Sequence, residues 1–145
     1  MILSEEHQMI RDALRTFAQE RLAPQAARWD REHVFPRDEL KELAALGAFG
    51  VAVPEEYGGA GLDYVALALV LEEIAAGDGG TSTIISVNNC PVCSIAMMYA
   101  SEEQKQRWLR PLASGELLGA FALTEPHTGS DAAALRTTAT RDGDD

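Results

Sequence analysis

The side chains best suited to chemistry lie in one segment near the end of the sequence. Residues 121–131 read Phe-Ala-Leu-Thr-Glu-Pro-His-Thr-Gly-Ser-Asp, an apolar run followed by a polar loop. Pro126 favours extended backbone at Glu125, and Gly129 permits a positive φ that lets the following N–H groups converge on one point. Three hydroxyl groups add donors without a net positive charge: Thr124, Thr128 and Ser130. This composition fits a cradle for a polar cofactor edge or a phosphate, although an ordinary loop between two strands is the commoner outcome.

Other motifs give weaker signals. The glycine run at residues 58–61 lacks the G-x-G-x-x-G spacing of nucleotide-binding loops, and it predicts a turn. Two pairs of adjacent glutamates occur, at Glu55-Glu56 and Glu72-Glu73. Neither pair predicts a two-carboxylate site, because neighbouring side chains on a helix point about 100° apart.

Two cysteines are spaced as Cys90-Pro-Val-Cys93. Redox pairs and half metal sites use such spacing, but two small apolar residues in a buried segment are the favoured interpretation. The three histidines are scattered without ligand spacing, at His7, His33 and His127. No metal site is therefore predicted, and the order of residues assembles no Ser/His/Asp or Cys/His nucleophile.

Composition narrows the class of protein. The 145 residues are 46% hydrophobic and 24% charged, with a net charge of −11 and an isoelectric point near 4.6. An acidic balance of this size argues against non-specific binding of nucleic acid or of an anionic membrane surface. The first residues lack the basic start of a secretion signal, and the most apolar stretch, residues 64–76, is too short to span a bilayer. A soluble, cytoplasmic protein is predicted.

The elements that must position the loop are mainly helical. Apolar residues repeat at helical spacing in four segments: 3–22, 35–46, 62–76 and 81–99. Distortions are expected at Pro24 and Pro91, because proline removes a backbone donor. The third segment is apolar on nearly every side, which predicts a position in the middle of a bundle.

The pattern changes after a polar helix that begins with Ser101, which has a glutamine three residues later in a capping-box spacing. That helix is expected to close at Pro111 and Gly115. Residues 117–123 and the threonine-rich residues 135–141 are predicted to be strands. The predicted fold is mainly α, a helical bundle followed by the first strands of a β domain. Because two strands cannot form a sheet with its own core, further chain is expected beyond residue 145.

Three motifs, in order along the chain, resemble those of the acyl-CoA dehydrogenases. Residues 53–59 resemble the loop after the second helix of that family. Residues 101–106 and 112–116 resemble the segment that leads into its middle domain, and residues 123–131 resemble its flavin signature. His127 departs from the pattern, since the family more often has a small residue there.

The resemblance implies a subunit with an N-terminal helical domain, a middle β domain and a C-terminal helical domain. Residues 1–116 would form the first, and residues 117–145 would form the start of the second. The resemblance also implies FAD, held by six residues: Phe121, Ala122, Leu123, Thr124, Gly129 and Ser130. The Thr124 hydroxyl would lie near the reactive flavin nitrogen, while Gly129 and Ser130 would approach the pyrophosphate.

The implied reaction is the α,β-desaturation of an acyl-CoA thioester. In this family a carboxylate removes the α proton while the β hydrogen passes to the flavin as hydride, which gives a trans-2-enoyl-CoA. The base lies in the C-terminal domain, so no catalytic residue is assigned in this chain. Residues 85–89 and 121–126 look most like those of short-chain, butyryl-type members, in which Thr83, Val87 and Ser130 would contact the substrate.

The family also suggests partners. An electron-transfer flavoprotein is expected as electron acceptor, and a homo-oligomer, either a dimer or a tetramer, is expected as the assembly. No nucleic-acid or membrane partner is predicted. The alternative function is a non-catalytic protein that uses the helical domain for binding.

Overall fold

The computed structural model describes residues 2–143, and helices account for most of that range. Eight α-helices, α1 to α8, are described: Glu5–Phe17, Ala23–Glu32, Arg37–Ala45, Tyr64–Gly77, Gly79–Val87, Ser94–Tyr99, Glu102–Gln104 and Arg110–Ala113. Two short 3₁₀ turns lie at Glu55–Tyr57 and Ala132–Ala134. The predicted mainly α fold is confirmed.

Within the described residues, three π-turns interrupt the helices, and each lies at or just before a proline. The π-turns are Ala18–Leu22, Asn88–Cys93 and Lys105–Leu109. Pro24 and Pro111 follow the first and third by two residues, and Pro91 lies inside the second. Because a proline has no N–H for the carbonyl four residues earlier and crowds that carbonyl, a widened turn relieves the contact. The distortions predicted at Pro24 and Pro91 are confirmed, but the last helix runs through Pro111 and ends at Ala113.

Helix α4 lies at the centre of the helical part, as its sequence predicts. It packs against α1, α2 and α5. Its buried apolar side chains are Ala66, Leu67, Val70 and Ile74. The helix begins at a side-chain cap, since Asp63 Oδ1 accepts a hydrogen bond from the Ala66 N–H at 2.8 Å.

No helix within residues 2–143 has the length and apolar character needed to cross a bilayer.

A partly buried ion pair joins α1 to α4. The Arg15 guanidinium donates two hydrogen bonds to the Glu73 carboxylate, at 3.0 and 2.6 Å. The Glu73 side chain is only 8% exposed, while that of Arg15 is 47% exposed. A carboxylate buried this deeply needs a charged partner, and the bidentate contact supplies one.

The segment between α3 and α4 is irregular, and its turns lie at glycine residues. Gly58 and Gly61 have φ values of +79° and +66°, which favour glycine. A Cβ added at Gly59 would lie 2.1 Å from the Val53 carbonyl oxygen, so the backbone passes too closely for any side chain. The turn predicted at residues 58–61 is confirmed.

The two predicted strands are not formed. Residues 117–123 and 135–141 show no strand pairing, and the one bridge in the described residues joins Glu125 to Thr128. A strand exists only when a neighbouring backbone accepts and donates its ladder hydrogen bonds, and no described segment lies beside these residues to do so. The prediction of strands in this part of the chain is therefore wrong for the structure described.

We expect the Arg15–Glu73 contact to be a measurable source of stability. Glu73→Gln should lower the free energy of unfolding by about 2 kcal/mol, because an amide accepts the two guanidinium bonds poorly and turns an NH₂ group toward a cation. The neighbouring Glu72 is exposed, so Glu72→Gln should change the value by less than about 0.5 kcal/mol. Urea denaturation of both variants tests this, and equal losses would contradict it.

Candidate cofactor-binding loop

Glu125 closes the loop at residues 124–135. Its carboxylate accepts hydrogen bonds from the N–H groups of Arg136 and Thr137, at 2.9 and 2.8 Å, and from the Thr137 hydroxyl. His127 Nε2 lies 3.4 Å from the same carboxylate. One side chain therefore joins the two ends of the loop, which fixes the positions of the residues between them. Sequence reasoning treated Glu125 only as the residue before a proline and missed this role.

A short turn inside the loop precedes Gly129. The N–H of Glu125 donates to the Thr128 carbonyl at 2.8 Å, and the N–H of Thr128 donates back at 3.2 Å. The Thr128 hydroxyl donates to the Asp131 carbonyl at 2.7 Å. One of the three hydroxyl groups predicted as ligand donors is thus used to shape the loop itself.

The other predicted donors remain available. A Cβ added at Gly129 would lie 3.5 Å from both Cγ2 and Oγ1 of Thr124, so these two residues are adjacent. Within residues 2–143, the hydroxyls of Thr124 and Ser130 and the N–H groups of Gly129 and Ser130 donate no hydrogen bond. Free donors beside a glycine suit the polar edge of a flavin or a phosphate, so these residues fit the FAD that the resemblance implies.

Three of the predicted cofactor residues precede the loop. Phe121 is 48% exposed, Ala122 is exposed and Leu123 is half-buried. An exposed aromatic ring close in sequence to free donors offers the apolar and polar contacts that a planar cofactor needs. Their role in binding stays a prediction.

The predicted substrate residues on α5 lie one helical turn apart. Thr83 is exposed, and its hydroxyl donates to the Gly79 carbonyl at 3.0 Å, while Val87 is half-buried. The next residue, Asn88, accepts a hydrogen bond on Oδ1 from the Gly119 N–H at 2.9 Å. The end of α5 therefore touches the segment that leads into the loop. Sequence reasoning missed the contact of Asn88, although a polar pair in an otherwise apolar helix is a readable signal.

The two cysteines are free thiols in different surroundings. Cys93 is buried, and burial raises the pKa of its thiol to about 11, so it is neutral at pH 7. Cys90 is exposed, so the interpretation of both as buried small residues holds only for Cys93. Within residues 2–143, no group of three or more histidine, cysteine, aspartate or glutamate side chains is arranged to hold a metal ion.

The helical bundle that leads into this loop matches a known protein family. The family model described as acyl-CoA dehydrogenase, N-terminal domain, matches residues 4–116. The chain therefore belongs to the acyl-CoA dehydrogenase family.

The chain is also similar to individual members of this family. The mitochondrial short-chain specific acyl-CoA dehydrogenase of Homo sapiens is 48% identical over 142 residues. The match covers 98% of this chain and 34% of the human protein, so the chain spans about a third of that relative's length. The predicted resemblance to short-chain members of the family is confirmed.

Two solved structures share the fold. A chain in the structure described as the electron transferring flavoprotein of Acidaminococcus fermentans is 41% identical with a TM-score of 0.94, and the match covers 99% of this chain and 38% of that one. The glutaryl-CoA dehydrogenase of Mycobacterium smegmatis in complex with FADH2 is 38% identical with a TM-score of 0.90. That match covers 97% of this chain and 36% of the solved chain.

We expect loop closure to depend on the charge of Glu125. The Thr137 hydroxyl, and then the Arg136 N–H, hold the pKa of the Glu125 carboxyl below its ordinary value of 4.5. Because this pKa is depressed in the closed loop, the stabilisation is present above pH 4.5 and is lost as the pH falls through the lowered value. An NMR titration should show the amide signals of Arg136 and Thr137 moving together as the pH falls below about 4.5.

A variant supplies the control for this titration. Glu125→Gln cannot ionise, so the joint movement of the two amide signals should vanish. A titration midpoint above the ordinary carboxyl value, or a titration that survives in the variant, would show that Glu125 does not close the loop.

Proposed function

We propose that this chain is part of an FAD-dependent enzyme that introduces an α,β double bond into short-chain acyl-CoA thioesters. The observation that carries the proposal is the adjacency of Thr124 and Gly129, with free donors, in a loop that resembles a flavin signature. Membership of the acyl-CoA dehydrogenase family supports the reaction class.

Six residues would hold the cofactor: Phe121, Ala122, Leu123, Thr124, Gly129 and Ser130. The half-exposed Phe121 ring and Leu123 would cover the flavin and exclude water from it. The Thr124 hydroxyl would donate to the polar flavin edge, and the free N–H groups of Gly129 and Ser130 would donate to phosphate oxygens. FAD bound there would accept hydride from the β carbon of the substrate. The complex of the related glutaryl-CoA dehydrogenase with FADH2 supports this cofactor.

Proton removal is assigned outside these residues. The α proton must pass to a base that faces the flavin across the substrate, and the resemblance places no such base in residues 1–145. Glu125 is not proposed as that base, since its carboxylate is engaged with three donors that close the loop. Residues 1–145 alone are therefore expected not to desaturate acyl-CoA.

The acyl group is proposed to be short, about four carbons. Thr83 and Val87, one turn apart on α5, would contact the acyl chain, and Ser130 would contact the coenzyme A phosphates. Each buried methylene contributes only about 0.8 kcal/mol, so the depth of the acyl pocket decides chain length. The similarity to a short-chain specific relative supports this choice.

The partners follow the same proposal. An electron-transfer flavoprotein is proposed as acceptor, supported by the match to a chain in a structure of that name. A homo-oligomer, a dimer or a tetramer, is proposed from the family.

Two further points stay predictions. One is the division at residue 116 between a helical domain and the start of a β domain, and the other is the cytoplasmic location.

The first experiment is a visible absorption spectrum of the protein expressed from its whole gene, before and after butyryl-CoA is added without oxygen. A flavin band that bleaches supports the cofactor, the reaction and the short acyl group together. A band that bleaches only with long-chain thioesters would reject the short acyl group. A folded protein without flavin would reject the enzyme and favour a non-catalytic helical binding domain.

A substitution tests the role of Thr124. Thr124→Val keeps the side-chain shape but removes the hydroxyl, so FAD should bind about fivefold to tenfold more weakly, as expected for one lost hydrogen bond. Thr138→Val is the control, because Thr138 is exposed and makes no side-chain hydrogen bond in residues 2–143. Fluorescence titration with FAD measures both, and equal affinities would exclude a contact with Thr124.

A further inference from the structure

Asn88 joins three parts of the chain through one buried side chain. It is 0% exposed and lies at the start of the π-turn Asn88–Cys93. Its amide nitrogen donates to the carbonyls of Phe49 and Leu112, at 2.8 and 3.0 Å, and more weakly to Cys93 Sγ at 3.7 Å, and its amide oxygen accepts from the Gly119 N–H at 2.9 Å. Only an amide offers a donor and an acceptor in this arrangement without carrying a charge into the interior.

The contact with Gly119 is the sole hydrogen bond of its segment. Among residues 118–124 of the described chain, no other N–H or carbonyl is hydrogen-bonded. These residues also form no strand. After the bond from the Leu117 N–H to the Pro111 carbonyl, at 2.9 Å, the Asn88–Gly119 bond is therefore the last hydrogen bond that holds the chain to the helical bundle before Phe121 and Thr124.

The absence of a side chain at Gly119 allows this contact. A Cβ added there would lie 2.7 Å from Val92 Cγ1 and 3.0 Å from Asn88 Oδ1. The first distance is too short for a real side chain, so only glycine lets the backbone approach the helix this closely.

Asn89 provides an internal comparison. It is 4% exposed, and its amide makes three hydrogen bonds, with the Val51 N–H at 2.9 Å and with the carbonyls of Ala48 and Ile85 at 2.8 and 2.9 Å. None of these partners belongs to residues 117–124. The two neighbours are thus alike in residue type and burial, although Asn88 also contacts Cys93 Sγ, and only Asn88 reaches the segment that leads to the loop.

We propose that Asn88 is a positioning residue for the flavin edge: it fixes Gly119, two residues before Phe121, so that Phe121 to Thr124 start from a rigid point on the helical bundle. This inference rests on the proposed function, since it assigns a role within the same cofactor site. The physical reason is that a binding group is effective only when its support holds it close to the required geometry.

The test compares Asn88→Ala with Asn89→Ala in the protein expressed from its whole gene. Asn88→Ala loses three hydrogen bonds to backbone groups and a weak one to Cys93 Sγ, and Asn89→Ala loses three to backbone groups, so the two should lose similar stability against urea. Only Asn88→Ala should weaken FAD binding, by about tenfold, shift the flavin absorption band and speed hydrogen exchange at the Gly119 amide. Asn89→Ala should leave FAD affinity within about twofold of the unchanged protein. Equal effects of the two variants on FAD would overturn the proposal.

A second variant covers the case in which Asn88→Ala does not fold. Gly119→Ala keeps both asparagines but pushes the segment away from Val92, so it should also weaken FAD binding and expose the amide at position 119 to exchange. Wild-type FAD affinity in this variant would overturn the proposal. If the unchanged protein binds no FAD, the proposed function fails instead, and exchange at Gly119 in the two asparagine variants still decides whether Asn88 holds the segment.

Discussion

Two adjacent buried amides hold together parts of this chain that no secondary structure joins. Asn88 and Asn89 satisfy backbone groups in the irregular segment after α3, at the end of α8 and at Gly119. The groups of Ala48, Phe49 and Val51 would otherwise be buried without a partner, at a cost of about 1–3 kcal/mol each. In the described residues no buried side-chain polar atom lacks a hydrogen bond. The arrangement of helices around α4 and the position of Gly119, just before residues 121–124, therefore depend on the same pair of asparagines.

The candidate site divides its polar groups between two tasks. Glu125 and the Thr128 hydroxyl are engaged in closing the loop, with the carboxylate reaching Arg136 and Thr137. Thr124 and Ser130 keep their hydroxyls free. A loop whose donors were all engaged in internal hydrogen bonds would be rigid but unable to bind a ligand. A loop without internal hydrogen bonds would not hold its shape in the absence of a ligand. The observed division gives both a fixed shape and open binding groups.

The sequence predicts the helices better than the connections between them. Apolar spacing identifies α4 as central, and the prolines mark two of the π-turns, because both signals are local. The strands at residues 117–123 and 135–141 are wrong here, since strand formation depends on a partner backbone that apolar character alone does not supply. The roles of Asn88 and Glu125 escape prediction because their partners lie between 11 and 39 residues away along the chain.

The three π-turns have a consequence for how sequences of this kind can change length. Each one accommodates an additional residue within a helical turn, so that the faces before and after it keep their own neighbours. Gaining or losing a single residue at Ala18–Leu22, Asn88–Cys93 or Lys105–Leu109 would convert one kind of turn into another rather than rotate a whole helix by about 100°. These turns are consequently the places inside the helices where one-residue gaps should gather when diverged copies of the chain are aligned.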